Sequence, residues 1–561
     1  MTRIYAKDHG VKPGTEAARA LAALLRTLRE TPGEKTLVLE PGTYRINAAD
    51  CETHRLVITN SVSPEEFAPD ETPHVNAVPF YLGSVKDLTI EGNGAVFAIT
   101  GRATNFAAED CENLTVNNIE FRHTEPDMHE FRVLKADGDT AEFAIDAGSR
   151  FEVTEGRMTF FVGEERVPAD KQADRAFWIG LIRPGTPEKI ERTGHPLKGA
   201  KHIERLDGHT VRVVYHEPAR FCPGECYYVF DVRRQFAGIF LHRCKNVTLT
   251  GVRQRFNYGL ALVLQCCDTA AVRDCAFAPE AGSPRKMASV ADFIQACMCR
   301  GRLTFTGNRF DGAGDDCLNV HGVHLMIQKA EGNRLTVRFM HPQTFGYDPI
   351  RPGDTLALID PKTLLETARC TALASEMRND YELLLTVSNA ADTAVGMAVE
   401  NVSACPDVLF ADNEMTRIIT RGLLLTTRGR VTVERNRFVS ATMSGVLCSD
   451  DANNWFESGM CADVTVRENL FESVGAPPVL LLPENAVHAG PVHRNIRIEN
   501  NRFLRYPEGP CVFAKSTDRL TVSGNACAHA PALQTEHCTN VTEENNRKTG
   551  GGSNVIKLSA G

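Results

Sequence analysis

RVTVERNRF (430–438), DVTVRENLF (463–471) and NIRIENNRF (495–503) repeat one phrase: a short alternating strand, a polar kink holding Asn, and a second apolar position. Working outward, looser copies are NLTVNNIEF (113–121), NVTLTGV (246–252), RLTFTGNRF (302–310) and RLTVSGNAC (519–527). The asparagines of the later copies fall at 413, 436, 469, 501, 525 and 546, at intervals of 23, 33, 32, 24 and 21 residues. A fixed rung with loops of variable length gives such spacing. Short β-branched strands returning at these intervals, with Asn and Gly turns and no helices between, predict a right-handed parallel β-helix. A β-propeller would need about 40 residues and four strands per unit. The kink Asn is expected to take the left-handed conformation and to bond its equivalent one rung away, a structural role.

Two stretches interrupt the repeat. Asn308 and Asn413 are 105 residues apart, so one rung leaves an insertion that matches 323–400, whose NRLTVRF, GDTLALID and YELLLTV alternate like antiparallel strands of a small barrel-like module. A second excursion spans 129–225, where HEFRVLKADGDTAEFAID predicts a hairpin through ADGD. At the amino end, TEAARALAALLRTLRE (15–30) predicts an amphipathic helix opened by Thr15 that covers the first rung, and LVLEPGTYRI (37–46) begins the first coil. The expected organisation is all-β: cap and first coils (1–128), inserted β-module (129–225), central coils (226–322), inserted barrel-like module (323–400), C-terminal coils (401–548) and a flexible tail (549–561).

The chain has 561 residues, which a solenoid carries on one continuous core. No apolar run approaches the roughly 18 residues of a bilayer span. A net charge of −9 argues against a polyanionic partner such as nucleic acid and is compatible with neutral sugars and with a homo-oligomer. MTRIYAKDHG has neither a basic n-region nor an apolar h-region, so the protein is expected in the cytoplasm, or secreted or periplasmic after removal of a signal. Of 18 cysteines, Cys111, Cys244, Cys266, Cys299, Cys405, Cys461 and Cys538 recur just before strand-like segments, a packing position and not a bridge pattern. Cys222 and Cys226 in CPGEC are either free thiols or a metal or disulfide pair, but no second pair follows. No metal or cofactor is expected, and mostly reduced thiols favour an intracellular or anaerobic setting.

The chemistry concentrates in GDDCLNVHG (314–322). Asp315 and Asp316 follow Gly312 and Gly314, where a bent backbone can turn both toward a groove; an acidic turn is the bland alternative. Asp292 lies 23 residues upstream of Asp315, in MASVADFIQACMC, where an unpaired charge would be costly. Acids on neighbouring rungs suit glycosidic hydrolysis, in which one carboxyl protonates the leaving oxygen while another activates water. Asn319 and His321 alternate with Val320 and so share the polar side; both are substrate-binding candidates, His321 through a hydrogen bond to a sugar hydroxyl or to a carboxyl, with a core or turn role for His321 as the alternative. Arg417, Arg421 and Arg428 follow the 323–400 insertion, and Arg421 is the candidate for a sugar oxygen or the base carboxylate; surface ion pairing is the alternative. Trp455 beside Glu457, in NNWFESG, offers a ring face and a carboxylate to a sugar, or else a loop aromatic over the core.

With these elements the chain resembles glycoside hydrolase family 110, the α-1,3-galactosidases. The likeness runs from DHGVKPGTEAARALAALL to about residue 546 and includes both inserted modules and the WFESG turn. The resemblance implies exo-hydrolysis of terminal α-1,3-linked galactose with inversion, as on blood group B type or linear Galα1,3Gal glycans. It also implies Asp315 as general acid, with Asp292 and Asp316 positioning and deprotonating the water; inversion calls for carboxyls roughly 6.5 to 9.5 Å apart. GDDC also resembles the paired-aspartate motif of the polygalacturonases. Those enzymes, however, have Asn-Thr-Asp where this chain has Val290-Ala291-Asp292, place His-Gly on a later coil, and carry an Arg-x-Lys signature that is missing here. A galacturonan hydrolase and a non-catalytic β-helical glycan-binding protein are the competing expectations.

Overall fold

The computed structural model describes residues 2–67, 72–169, 179–230 and 234–549. The tail expected over 549–561 lies, from residue 550 onward, outside the described residues. The architecture is a right-handed parallel β-helix. One coil runs Ile294–Cys297, Arg300–Thr306 and Arg309–Ala313, and Leu318–Val323 then opens the next. Strands of the first kind stack in parallel into a short-strand face, in which Leu262–Gln265, Ile294–Cys297, Leu318–Val323 and Leu423–Thr426 are successive. Strands of the repeated phrase stack into the other faces.

Alternation explains the coil. Leu303 and Phe305 point inward and are fully buried, while Thr304 between them is half-buried. Inside, equivalent side chains stack from rung to rung, as in Phe438, Phe471 and Phe503, with ring centroids 4.5 and 4.9 Å apart. The Asn ladder runs through Asn308, Asn413, Asn436, Asn469, Asn501, Asn525 and Asn546: each Oδ1 after the first accepts from the backbone N–H and the amide of the Asn one rung before. One detail differs from the sequence expectation. The left-handed conformation is taken by the residue before each Asn (Asp412, Arg435, Glu468 and Asn500, φ 55–58°), which frees the Asn side chain to point inward.

A thiol ladder accompanies it. Cys244, Cys299 and Cys461 each donate to a carbonyl one rung away, those of Ala108, Leu264 and Leu425. Its member in the CC pair is Cys267, which donates to the Leu241 carbonyl, whereas Cys266 packs against the barrel insertion. The sequence phrase is one residue out of register there. Cys511 and Cys527 are disulfide-bonded; Cys222 and Cys226 are free, the first exposed and the second buried.

The N-terminal helix spans Ala18–Glu30 and covers the first rung with Leu21, Leu24, Leu25 and Leu28. Its cap is not Thr15, whose hydroxyl donates to the Lys12 carbonyl; Glu16 Oε1 instead accepts the N–H groups of Ala18 and Asn47, tying the helix start to the first coil. In the first excursion, Met128–Asp137 and Thr140–Ile145 form the hairpin within a seven-stranded antiparallel sheet. The second forms a closed six-stranded barrel between Leu325 and Asn401. It leaves the register of the β-helix intact, since Leu318 still pairs with Leu423 across it.

Candidate active site

Register brings the acids together. Ile294 pairs Leu318 and Leu318 pairs Leu423, so Asp292, Asp316 and Arg421, each two residues earlier, hold the same place on three successive rungs. Rungs stack about 4.8 Å apart, and the three side chains form a column. The Asp316 N–H donates to Asp292 Oδ1 at 3.1 Å. Asp316 in turn accepts from the Thr420 hydroxyl, from the Arg421 N–H at 3.0 Å and from its Nε at 2.9 Å, and Arg421 Nη2 lies 2.8 Å from Oδ2. Gly314 permits this, because a Cβ there would sit 2.2 Å from the Val290 carbonyl oxygen. Asp315, the residue before Asp316, accepts from Arg234 Nη1 at 3.1 Å.

All three carboxyls line one open cavity, with Asn319, Trp455 and Glu457 also in its wall. Their exposures differ: Asp292 and Asp316 are 2% and 1% exposed, the Asp315 side chain 18%. Burial, then the charges of Asp315 and Asp316, push the Asp292 carboxyl well above the usual carboxylate range. Burial also raises Asp316, against the pull of Arg421 and Thr420. Burial works against the charge on Arg421, but Asp316 outweighs it and holds the guanidinium above its ordinary value.

Asn319 points into the cavity from the rung of Asp316. Its amide donates to Glu457 Oε1 at 3.1 Å, and its buried Oδ1 has no partner among the described residues, which leaves an acceptor for a ligand hydroxyl. Trp455 is 45% exposed and stacks on His341 of the inserted barrel, ring centroids 4.4 Å apart, so it bridges two parts of the chain at the cavity rim. Burial lowers His341 to about 4, keeping that ring neutral at ordinary pH. Of the two partners expected for His321, the structure places a carboxyl beside it and gives it no place on the cavity wall. It lies behind Glu457, its Nδ1 bonded to the Gly322 carbonyl and its Nε2 3.7 Å from Glu457 Oε1. Arg417 and Arg428 are engaged elsewhere, by Asp311 and Glu188 and by Glu366 and Glu400.

Sequence reasoning missed Arg234, Asn60, Asp451 and Glu484. Asp451 had a local signal: Asp followed by Ala-Asn-Asn makes an Asx turn, and its carboxylate accepts the N–H groups of Asn453, Asn454, Trp455 and Phe456, which fixes the turn carrying Trp455 and Glu457. Glu457 and Ser458 then pair antiparallel with Val323 and Gly322, on the strand that follows Asp315 and Asp316. Arg234 and Asn60 arrive from loops far upstream and had no such signal.

Residues 334–397, within the barrel, match the family model of the GLAA-B beta-barrel domain II. Among solved structures, the A-module of the Azotobacter vinelandii mannuronan C-5 epimerase AlgE6 covers 96% of this chain and 98% of its own at 12% identity, with a TM-score of 0.41. The Akkermansia muciniphila protein named alpha-1,3-galactosidase A is 31% identical over 508 residues, covering 88% of this chain and 80% of that one. Bacteroides thetaiotaomicron alpha-1,3-galactosidase A is 30% identical over 528 residues, covering 91% of this chain and 90% of its own. Likeness at that level, over about nine-tenths of the chain, means that the chain belongs to the alpha-1,3-galactosidase family.

Proposed function

We propose that the protein is an exo-acting glycoside hydrolase that removes terminal α-1,3-linked galactose with inversion, as from blood group B type or linear Galα1,3Gal glycans. The observation that carries this reading is the convergence of Asp292, Asp315 and Asp316 in one cavity, two buried and one more exposed. The curated relatives' name, held over nine-tenths of the chain, supports the substrate.

Asp315, the most exposed of the three, protonates the glycosidic oxygen on the side where the leaving sugar departs. Arg234 binds its Oδ2, which leaves Oδ1 to carry the proton. Asp292 and Asp316 hold the water on the opposite side; the raised Asp292 is the stronger proton acceptor. As the bond from C1 to the leaving oxygen breaks, the water oxygen bonds C1 and gives its proton to Asp292, so the sugar leaves as β-galactose. Asn319 Oδ1, Glu457 and Trp455 receive the sugar's hydroxyls and its C–H face.

The Arg234–Asp315 ion pair together with the raised Asp292 favours one alternative division, with Asp292 as donor and Asp315 as base. Leaving-group dependence separates the two, because a p-nitrophenolate departs without a proton. Asp315→Asn is expected to lose far more on Galα1,3Gal than on p-nitrophenyl α-galactoside; that pattern in Asp292→Asn would reverse the roles. NMR of the first-formed product is expected to detect β-galactose, and initial α-galactose would rule out inversion. Polygalacturonate is expected to be inert: Arg421 is the cation among the cavity-lining side chains, and Asp316 already occupies it.

A further inference from the structure

The outer surface of the short-strand face is covered on one side of the cavity and open on the other. Toward the amino end, Leu56, Ile58 and Val78 pack over Phe240 and Val263. The Thr59 N–H donates to Gln265 Oε1 at 2.9 Å, and the Asn60 N–H donates to the carbonyl of Gln343, in the barrel insertion, at 2.9 Å. Asn60 itself lines the cavity, so this segment is a wall.

Toward the carboxyl end, one outward-pointing row continues from Asn319 through Leu424, Leu447, Leu480 and Phe513 on successive rungs. Leu424 and Leu447 line the cavity. Leu447, Leu480 and Phe513 are only half-buried, whereas their inward neighbours Val446, Val479 and Val512 are fully buried. Inserted modules border the row on both sides. The first module meets the segments that lead into these strands: the Ile190 N–H donates to Ser440 Oγ and Arg505 donates to the Thr186 carbonyl. The barrel insertion meets turns that leave them: Asn453 donates to the Pro361 carbonyl and the Val487 N–H to that of Lys362.

We propose that Leu447, Leu480 and Phe513 form the floor of a track that receives the sugars on the reducing side of the scissile bond. The inference rests on the galactosidase reading and adds an orientation to it. A terminal galactose set against the wall at Asn60 has its leaving group facing the open row. Sugar rings present C–H faces that bury well on apolar side chains, and Phe513 offers a ring face to them. Rungs about 4.8 Å apart give this floor a reach of roughly 10 Å from Leu447 to Phe513. The wall makes the enzyme cut only at a chain end, and the track lets it prefer long glycans.

The test compares kcat/KM on p-nitrophenyl α-galactoside, on Galα1,3Gal and on a pentasaccharide ending in Galα1,3Gal, in the wild type and in Leu480→Ser/Phe513→Ala. The wild type is expected to favour the pentasaccharide over the disaccharide by about tenfold, the size of one or two well-buried apolar contacts. In the double variant that preference is expected to collapse through KM, measured relative to the variant's own p-nitrophenyl rate. Leu480→Gln alone, at a half-buried side chain, gives the same comparison should the double variant fail to fold. A wild type indifferent to glycan length, or variants that keep the preference, would overturn the track and leave the galactosidase reading standing. A wild type inactive on every α-galactoside would instead overturn both.

Discussion

The central and C-terminal rungs share one backbone and differ in what they place at one coil position. Two residues before each short strand, register aligns Ala237 and Leu260, then Asp292, Asp316 and Arg421, then Ser444, Pro477 and Pro510. In the C-terminal coils that position is filled by residues that end a turn cheaply, and the interior is Asn ladder and stacked Phe. In the centre the same position holds two buried carboxyls and a half-buried guanidinium, where burial penalises each charge. The difference teaches that the solenoid supplies geometry everywhere and chemistry only where it departs from its own rule. A regular sequence would satisfy that backbone better, and the departure marks the site.

Removing the departure should therefore abolish activity, and removing the regularity should cost only stability. The largest effect is expected for Asp315→Asn, at the carboxyl adjoining that position: kcat/KM on Galα1,3Gal falls roughly 10³-fold, the scale of a lost general acid, with circular dichroism unchanged. Asp292→Asn sharpens the comparison, because activity and stability should move in opposite directions. Turnover falls roughly 10²-fold or more, but the melting temperature at pH 8 rises by about 1–3 °C. The sign follows from linkage. The folded carboxyl lies well above its unfolded value, so its stability contribution is full below the unfolded value near 3.9 and is lost as pH rises through the folded one. Asn removes that loss, and the gain should vanish in melts near pH 4; equal gains at both pH values would refute the buried-charge account.

In the regular rungs, Asn436→Ala is expected to destabilise by about 2–3 kcal/mol in urea titration, since it orphans the buried Asn413 N–H and takes one of the two acceptors from the Asn413 amide. Its kcat per folded molecule should match wild type, and a catalytic defect of the Asp315 kind would break the contrast between the regions. Smallest is Trp455→Ala, for which a KM on Galα1,3Gal raised about fivefold with kcat within about twofold is expected, as for a half-exposed ring that binds but does not react.

Much of this was legible in the chain because β-helical contacts are periodic. The repeated phrase placed the strands, Asp292 and the Asp315–Asp316 pair stood one rung apart, and the gap between Asn308 and Asn413 announced an insertion. What misled was local phase. The thiol ladder took Cys267 and not Cys266, and the helix began at Ala18 with Glu16 as its tie. A pattern of period two or three cannot place a residue to within one position at a turn, and one position reverses the side it faces.

By itself, the sequence determined the coil, its kinks and the acids that successive rungs carry, since each depends on neighbours a rung apart. The tertiary structure alone decided that Arg234 meets Asp315, that the Asn60 segment walls the cavity, that Glu457 reaches Asn319, and that Asp315 is more exposed than its two partners. These are meetings between loops of no fixed spacing, brought together by the stacking of coils and by the modules inserted among them, and no interval in the chain encodes them.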